Sequence, residues 1–149
     1  IKLLVRFLGV MPVPSDIKTY AKFRDAIGKV YEKGDVISIF PEAHIWPKYH
    51  EIRDFPDVSF YYPVELDAPC FVKTTVYIKR KNGTTRAKMI CDGPFYPDKT
   101  VSRREAQAKL CREIKETMKM RAKEYGSSPD CRFNYIKVDT PEDVRTEIA

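Results

Sequence analysis

Val36-Ile37-Ser38-Ile39-Phe40-Pro41-Glu42-Ala43-His44-Ile45-Trp46-Pro47 is the stretch on which the reading of this chain turns. Val36, Ile37 and Ile39 are β-branched and Phe40 is aromatic, a run that predicts a buried strand over 36–40. Pro41 closes it, since proline brings no ladder donor and drives the residue before it into an extended conformation. Glu42, Ala43 and His44 then fall where the strand opens into a loop, at the C-terminal end of an expected parallel strand. In open α/β sheets ligands bind at that end. A carboxylate, an imidazole and the Trp46 indole are placed there for chemistry or recognition. The plain alternative is a turn with Glu42 solvated and Trp46 closing a core edge, because many loops at strand ends carry no site.

Upstream, Tyr20, Phe23, Ile27 and Val30 recur at three- and four-residue steps, predicting a helix with one buried stripe. Ser15 or Asp16 suits its N-cap, and Gly34 its end. Before it, Val10 to Val13 reads as a short extended segment beside Pro12 and Pro14. Strand, helix, strand makes a βαβ crossover with 10–13 and 36–40 parallel. Residues 1–8 suit the last turns of a helix, with Gly9 in the left-handed position after it.

Downstream, Pro56 and Pro63 break any long element, and Phe60-Tyr61-Tyr62 forms a wall or a short helix. Val72, Val76 and Ile78 predict a strand over 70–78, Lys81-Asn82-Gly83-Thr84 a type I′ hairpin, and 87–91 the return strand. Ser102-Arg103-Arg104-Glu105 has capping-box spacing and opens a long helix. Ala106, Leu110, Ile114 and Met118 form its buried line, and it ends near Gly126. From Ser127 the sequence is polar, with Phe133, Tyr135 and Ile136 as docking residues and fraying expected at the end. These elements give an α/β fold with a mixed, partly parallel sheet flanked by helices, over residues 1–126, followed by a tail at 127–149. No repeat or low-complexity segment interrupts it.

At 149 residues the chain is long enough for one domain with a real core. No apolar run approaches the roughly 18 residues of a membrane span, and no signal peptide is visible. It opens on Ile1 rather than methionine, which predicts a fragment, a processed chain or an ordered remainder. A net charge of +6 and a pI near 9.1 point to an acidic partner: phosphorylated small molecules, an anionic membrane face or nucleic acid. Cys70, Cys91, Cys111 and Cys131 form no C-x-x-C pair, so free cytosolic thiols are expected and a zinc ribbon is not.

Three blocks stand in order: Gly9-Val10-Met11-Pro12-Val13, then Lys33-Gly34-Asp35 at a helix end, then Val36-Ile37-Ser38-Ile39-Phe40-Pro41-Glu42. This order and spacing resembles the glycerophospholipid acyltransferase family, whose blocks read Gly-x-x-Pro-Val and, after a lysine and glycine, Phe-Pro-Glu-Gly. Asp67-Ala68-Pro69-Cys70-Phe71-Val72 resembles the family's fourth block, and the likeness runs from Ile1 to about Glu124. It implies an acyltransferase-like fold and transfer of a fatty acyl group from a thioester, acyl-CoA or acyl carrier protein, to a lysophospholipid-like acceptor. It implies no cofactor beyond that co-substrate, no bound metal, no nucleic-acid partner, and a cytoplasmic enzyme peripheral to the membrane. The substrate-binding positions it marks are Pro12, Ser15, Phe40, Pro41, Glu42, Ala43 and His44.

The family's general base, a His-x-x-x-x-Asp motif, lies upstream of the first block, so no catalytic residue is expected in this chain and the base is expected before Ile1. His50 has Asp54 four residues on, but it lies downstream of Glu42 and lacks the intervening pattern. Two further departures concern phosphate. Ser15 stands where the family has an arginine, and Glu42-Ala43-His44-Ile45 replaces Glu-Gly-Thr-Arg. Serine and isoleucine cannot give the bidentate phosphate grip of arginine, so binding would fall to His44, Lys48 or Arg53.

Other classes have weaker patterns. Glu42, His44, His50 and Glu51 carry ligand atoms, but their spacing fits no common zinc signature. Lys79-Arg80-Lys81, Arg86, Arg103-Arg104 and Lys109 are basic without any accompanying nucleic-acid-binding pattern. A relative that keeps the fold without catalysis is the remaining alternative.

Overall fold

The computed structural model describes residues 9–11, 14, 16–42, 49 and 51–126. Two compact units divide them. The first draws on Ile1–Ala43, Asp54–Cys70 and Gly93–Glu113, and the second on His44–Arg53, Phe71–Asp92 and Ile114–Ala149.

In the first unit, helix α1 spans Ile17–Glu32. Asp16, in extended backbone, is its N-cap: the Thr19 N–H donates to Asp16 Oδ1 at 2.7 Å, which holds that carboxyl below its ordinary pKa. Of the predicted stripe, Ile27 is buried, Phe23 and Val30 are half-buried, and Tyr20 is exposed. A 3₁₀ turn over Asp57–Phe60 leads into helix α2, Tyr61–Leu66. Pro63 does not break α2, because it sits in the first turn, where a missing N–H leaves no intrahelical bond unmade. Asp67 ends the helix in a left-handed conformation (φ 50°). Phe23 meets Tyr62 edge-on at 5.9 Å, and Phe55 stacks near Phe60 at 6.2 Å, both phenylalanines of that pair being buried.

Strands β1 (Cys70–Lys79) and β2 (Thr85–Phe95), which supply Phe71–Asp92 of the second unit, form a two-stranded antiparallel sheet. Val72, Thr74 and Val76 on one face of β1 are buried, while Phe71, Lys73 and Thr75 on the other are exposed. The connecting turn differs from the predicted type I′. The Gly83 N–H donates to the Arg80 carbonyl at 2.9 Å and the Arg80 N–H to that of Thr84 at 2.7 Å. Gly83 has φ +84°, whereas Asn82 is not among the positive-φ residues. Type I′ needs positive φ at both central residues; here one glycine takes the strain in a three-residue loop with a bulge. Asn82 Oδ1 instead accepts from the Thr84 N–H and hydroxyl, at 3.2 and 2.7 Å.

Helix α3, Arg103–Tyr125, contributes to both units. Ser102 caps it as predicted, its Oγ accepting from the Glu105 N–H at 3.3 Å and its carbonyl from Ala106 at 2.8 Å. Ala106, Leu110, Ile114 and Met118 are all buried, which is the predicted line.

The expected strand over 36–40 is not formed. Residues 35–40 are irregular, with Val36 94% exposed and Phe40 80% exposed. A strand needs a ladder partner for its backbone groups. Its expected neighbour, 10–13, contains Pro12 and is followed by Pro14, each without an N–H, and residues 10, 11 and 14 are irregular too. The helix of the predicted crossover is therefore present without the parallel strands among the described residues. The chain mixes α and β, but its sheet is an antiparallel hairpin rather than partly parallel. The expectations for 1–8, Pro12, Val13, Ser15, 43–48, His50 and the tail at 127–149 lie outside the described residues.

Candidate functional site

The approach to Glu42 begins where α1 ends. The Gly34 N–H donates to the Tyr31 carbonyl at 2.9 Å and the Asp35 N–H to that of Val30 at 3.3 Å, with Gly34 at φ +77°. This is a Schellman termination, which needs a residue free to adopt positive φ. The Lys33-Gly34-Asp35 block thus has a local structural cause. Past it, residues 35–40 run irregularly to a turn at Pro41 and Glu42, both half-buried, with the Phe40 ring exposed just before them.

Of the seven expected substrate-binding positions, Phe40, Pro41 and Glu42 are described and lie together at this turn. Pro12, Ser15, Ala43 and His44 lie outside the described residues, as do Trp46, Lys48 and His50. Arg53, an alternative phosphate ligand, is half-buried. Among the described residues no group of three or more His, Cys, Asp or Glu side chains could hold a metal ion.

The strongest electrostatic features lie elsewhere, between residues the sequence reading did not connect. The Arg121 guanidinium clamps Asp92 with Nη2 at 2.6 Å and Nε at 3.0 and 3.1 Å from the carboxylate, while Nη1 reaches Glu124 at 2.6 Å. That fork holds the Asp92 carboxyl below its ordinary value and raises Arg121 further. The Lys88 Nζ lies 3.9 Å over the Tyr125 ring. In the first unit Asp98 accepts from Lys109 at 2.5 Å and from the Thr100 hydroxyl and N–H at 2.6 and 2.9 Å, and it is held well below the usual carboxylate range. Lys99 pairs with Asp67 and Arg103 with Glu65, each at 2.5 Å. Arg103 and Lys109, two of the basic residues considered for nucleic acid, are therefore engaged with carboxylates of their own chain.

Two other groups are tuned by burial. The Tyr62 hydroxyl is pushed up to about 12, first by burial and then by its hydrogen bond with Tyr20. Burial pushes the Cys70 thiol up to about 11, so at neutral pH it is protonated and a poor nucleophile.

No sequence signal pairs Asp92 with Arg121, 29 residues apart. The half-buried turn at Glu42, by contrast, was marked by Pro41. Among the described residues no helix is long and apolar enough to cross a membrane. No family model, curated protein or solved structure matches this chain.

Proposed function

We propose that this chain is the acceptor-binding portion of a glycerophospholipid acyltransferase, moving an acyl group from a thioester carrier to a lysophospholipid-like hydroxyl. The observation that carries the reading is Glu42, half-buried at the turn that follows the α1 terminus and an exposed Phe40. The order of Gly9, Lys33-Gly34-Asp35 and Phe40-Pro41-Glu42 supports it. Glu42 accepts hydrogen bonds from the acceptor's head-group hydroxyls, and Phe40 lies against its acyl glycerol end.

The proton step belongs to a His-x-x-x-x-Asp pair, which this reading requires upstream of Ile1. That histidine takes the acceptor hydroxyl proton, the oxygen attacks the thioester carbonyl, the C–S bond breaks and the thiol leaves with a proton. The missing arginines at Ser15 and Ile45 favour an acceptor whose phosphate is held otherwise, or a head group without a terminal phosphate.

The test is acyl transfer by the intact chain carrying that upstream pair. Losing one hydrogen bond to a charged group costs about 10- to 100-fold in kcat/KM, which is the fall expected for Glu42→Ala, with unfolding unchanged. Full activity of Glu42→Ala would overturn the role. An intact chain without any acyl transfer would overturn the enzyme and favour a relative that keeps only the fold.

A further inference from the structure

Between Ala68 and Cys91 the sequence holds Lys73, Lys79, Arg80, Lys81, Arg86 and Lys88, and no aspartate or glutamate. Those six cations equal the net charge of the whole chain, +6, so everything outside this segment balances cation for anion. The segment folds as the β1–β2 hairpin. Counting from the Arg80–Thr84 pair, Val72, Thr74 and Val76 face Asp92, Ile90 and Lys88 on the inner side. On the outer side Lys73 faces Cys91 and Thr75 faces Met89, and all four are exposed, in agreement with that register. Phe71 and Met89 on this face are 63% and 62% exposed. Arg80, Lys81 and Arg86 are exposed around the turn, beyond the buried part of the sheet, Arg86 facing Ile78 on the inner side in this register. Lys88 is engaged with Tyr125, but among the described residues no carboxylate pairs with Lys73, Arg80, Lys81 or Arg86.

We propose that this hairpin docks the protein on an anionic lipid surface, its cations at the head groups and Phe71 and Met89 entering the boundary of the acyl region. Unpaired cations alone would suit any polyanion; the exposed apolar residues on the same hairpin decide. A phenyl ring and a thioether gain by leaving water for hydrocarbon, and lysine stems reach past them to keep their ammonium groups at the interface. A nucleic-acid strand would offer Met89 no comparable place, because stacking on bases needs a flat π face and phosphate forks favour arginine over the lysines that predominate here. The lipid choice rests in part on the acyltransferase reading; the charge does not.

The experiment is sedimentation of the full chain with phosphatidylcholine vesicles, with and without phosphatidylserine. Each cation near an anionic leaflet contributes about fivefold to binding. Binding to the phosphatidylserine vesicles is expected to weaken with added salt, and to fall about 100-fold or more in Lys73→Glu/Lys81→Glu/Arg86→Glu with an unchanged thermal melt. Phe71→Ser/Met89→Ser should weaken binding without changing its salt dependence. Should the triple variant misfold, Lys81→Glu alone is read, with about a tenfold loss expected. The proposal is overturned if phosphatidylserine vesicles are not bound, if plain vesicles bind equally, if charge reversal changes nothing, or if a single-stranded oligonucleotide binds more tightly. Vesicle binding without acyl transfer, in an intact chain carrying the upstream His-x-x-x-x-Asp pair, overturns the enzyme alone. Transfer to a dispersed acceptor without vesicle binding overturns only the docking face.

Discussion

Val36-Ile37-Ser38-Ile39-Phe40 and Val72-Lys73-Thr74-Thr75-Val76 are two five-residue runs with opposite fates. The first has four apolar residues and is irregular, with Val36 94% exposed; the second has two and is strand, with Val76 1% exposed. Apolar content does not make a strand, because the backbone groups must find a ladder. β1 finds one across a short turn held by Gly83, a closure of low entropic cost. Residues 36–40 would need a partner beyond a whole helix, and the candidate partner is poor in donors. Alternation lets β1 bury Val72, Thr74 and Val76 while Lys73 and Thr75 stay wet, so one hairpin can face a core and water at once.

Substitutions can break or sharpen this contrast. Leu110, 2% exposed on α3, sets the upper scale: Leu110→Ala should cost about 3 kcal/mol by chemical denaturation. Val76→Ala should cost about 2 kcal/mol, and Val36→Ala less than about 0.5 kcal/mol. Equal losses at Val36 and Val76 would mean that 36–40 is buried after all. Thr74 is fully buried and its hydroxyl has no hydrogen-bond partner among the described residues. Thr74→Val should therefore raise stability by about 1 kcal/mol, and a loss would mean that the hydroxyl is bonded.

Acid should weaken both units through different carboxylates. Asp92 and Asp98 titrate lower in the folded chain than in the unfolded one, so the unfolded chain binds more protons in acid. Their stabilisation is complete above the ordinary carboxylate value, about pH 4, and drains away as the pH falls through the folded values. Asp92→Asn should flatten the acid limb of stability measured against pH. The smallest effect is one of rate: in a Cys131→Ser chain, maleimide should label exposed Cys91 before half-buried Cys70 and buried Cys111.

What the sequence made legible was local or periodic. Helix α3 followed from Ala106, Leu110, Ile114 and Met118 with Ser102 as cap. The α1 end followed from Gly34, and its start from Ser15 or Asp16, of which Asp16 is the cap. The hairpin was legible from Asn82-Gly83, though not its turn type, because the choice between two loops with one glycine depends on how the strands twist together. Residues 36–40 misled because a continuous apolar run does not reveal whether a partner exists. The Arg121–Asp92 clamp was invisible because ion pairs between distant elements leave no periodic trace. For the candidate site, Pro41 was enough to place Glu42 at a turn, and the missing arginines were plain. The uneven charge was readable too, once the carboxylate-free stretch from Ala68 to Cys91 is taken as one unit.

Amide hydrogen exchange, resolved by residue, tests most directly the claim that Phe40 and Glu42 are presented by an irregular segment while the hairpin carries the sheet. The expected result is slow exchange at the ladder amides of β1 and β2 and in the interior of α3, with fast exchange across 36–40. Protection across 36–40 equal to that of the hairpin would contradict it and restore a strand leading to Glu42.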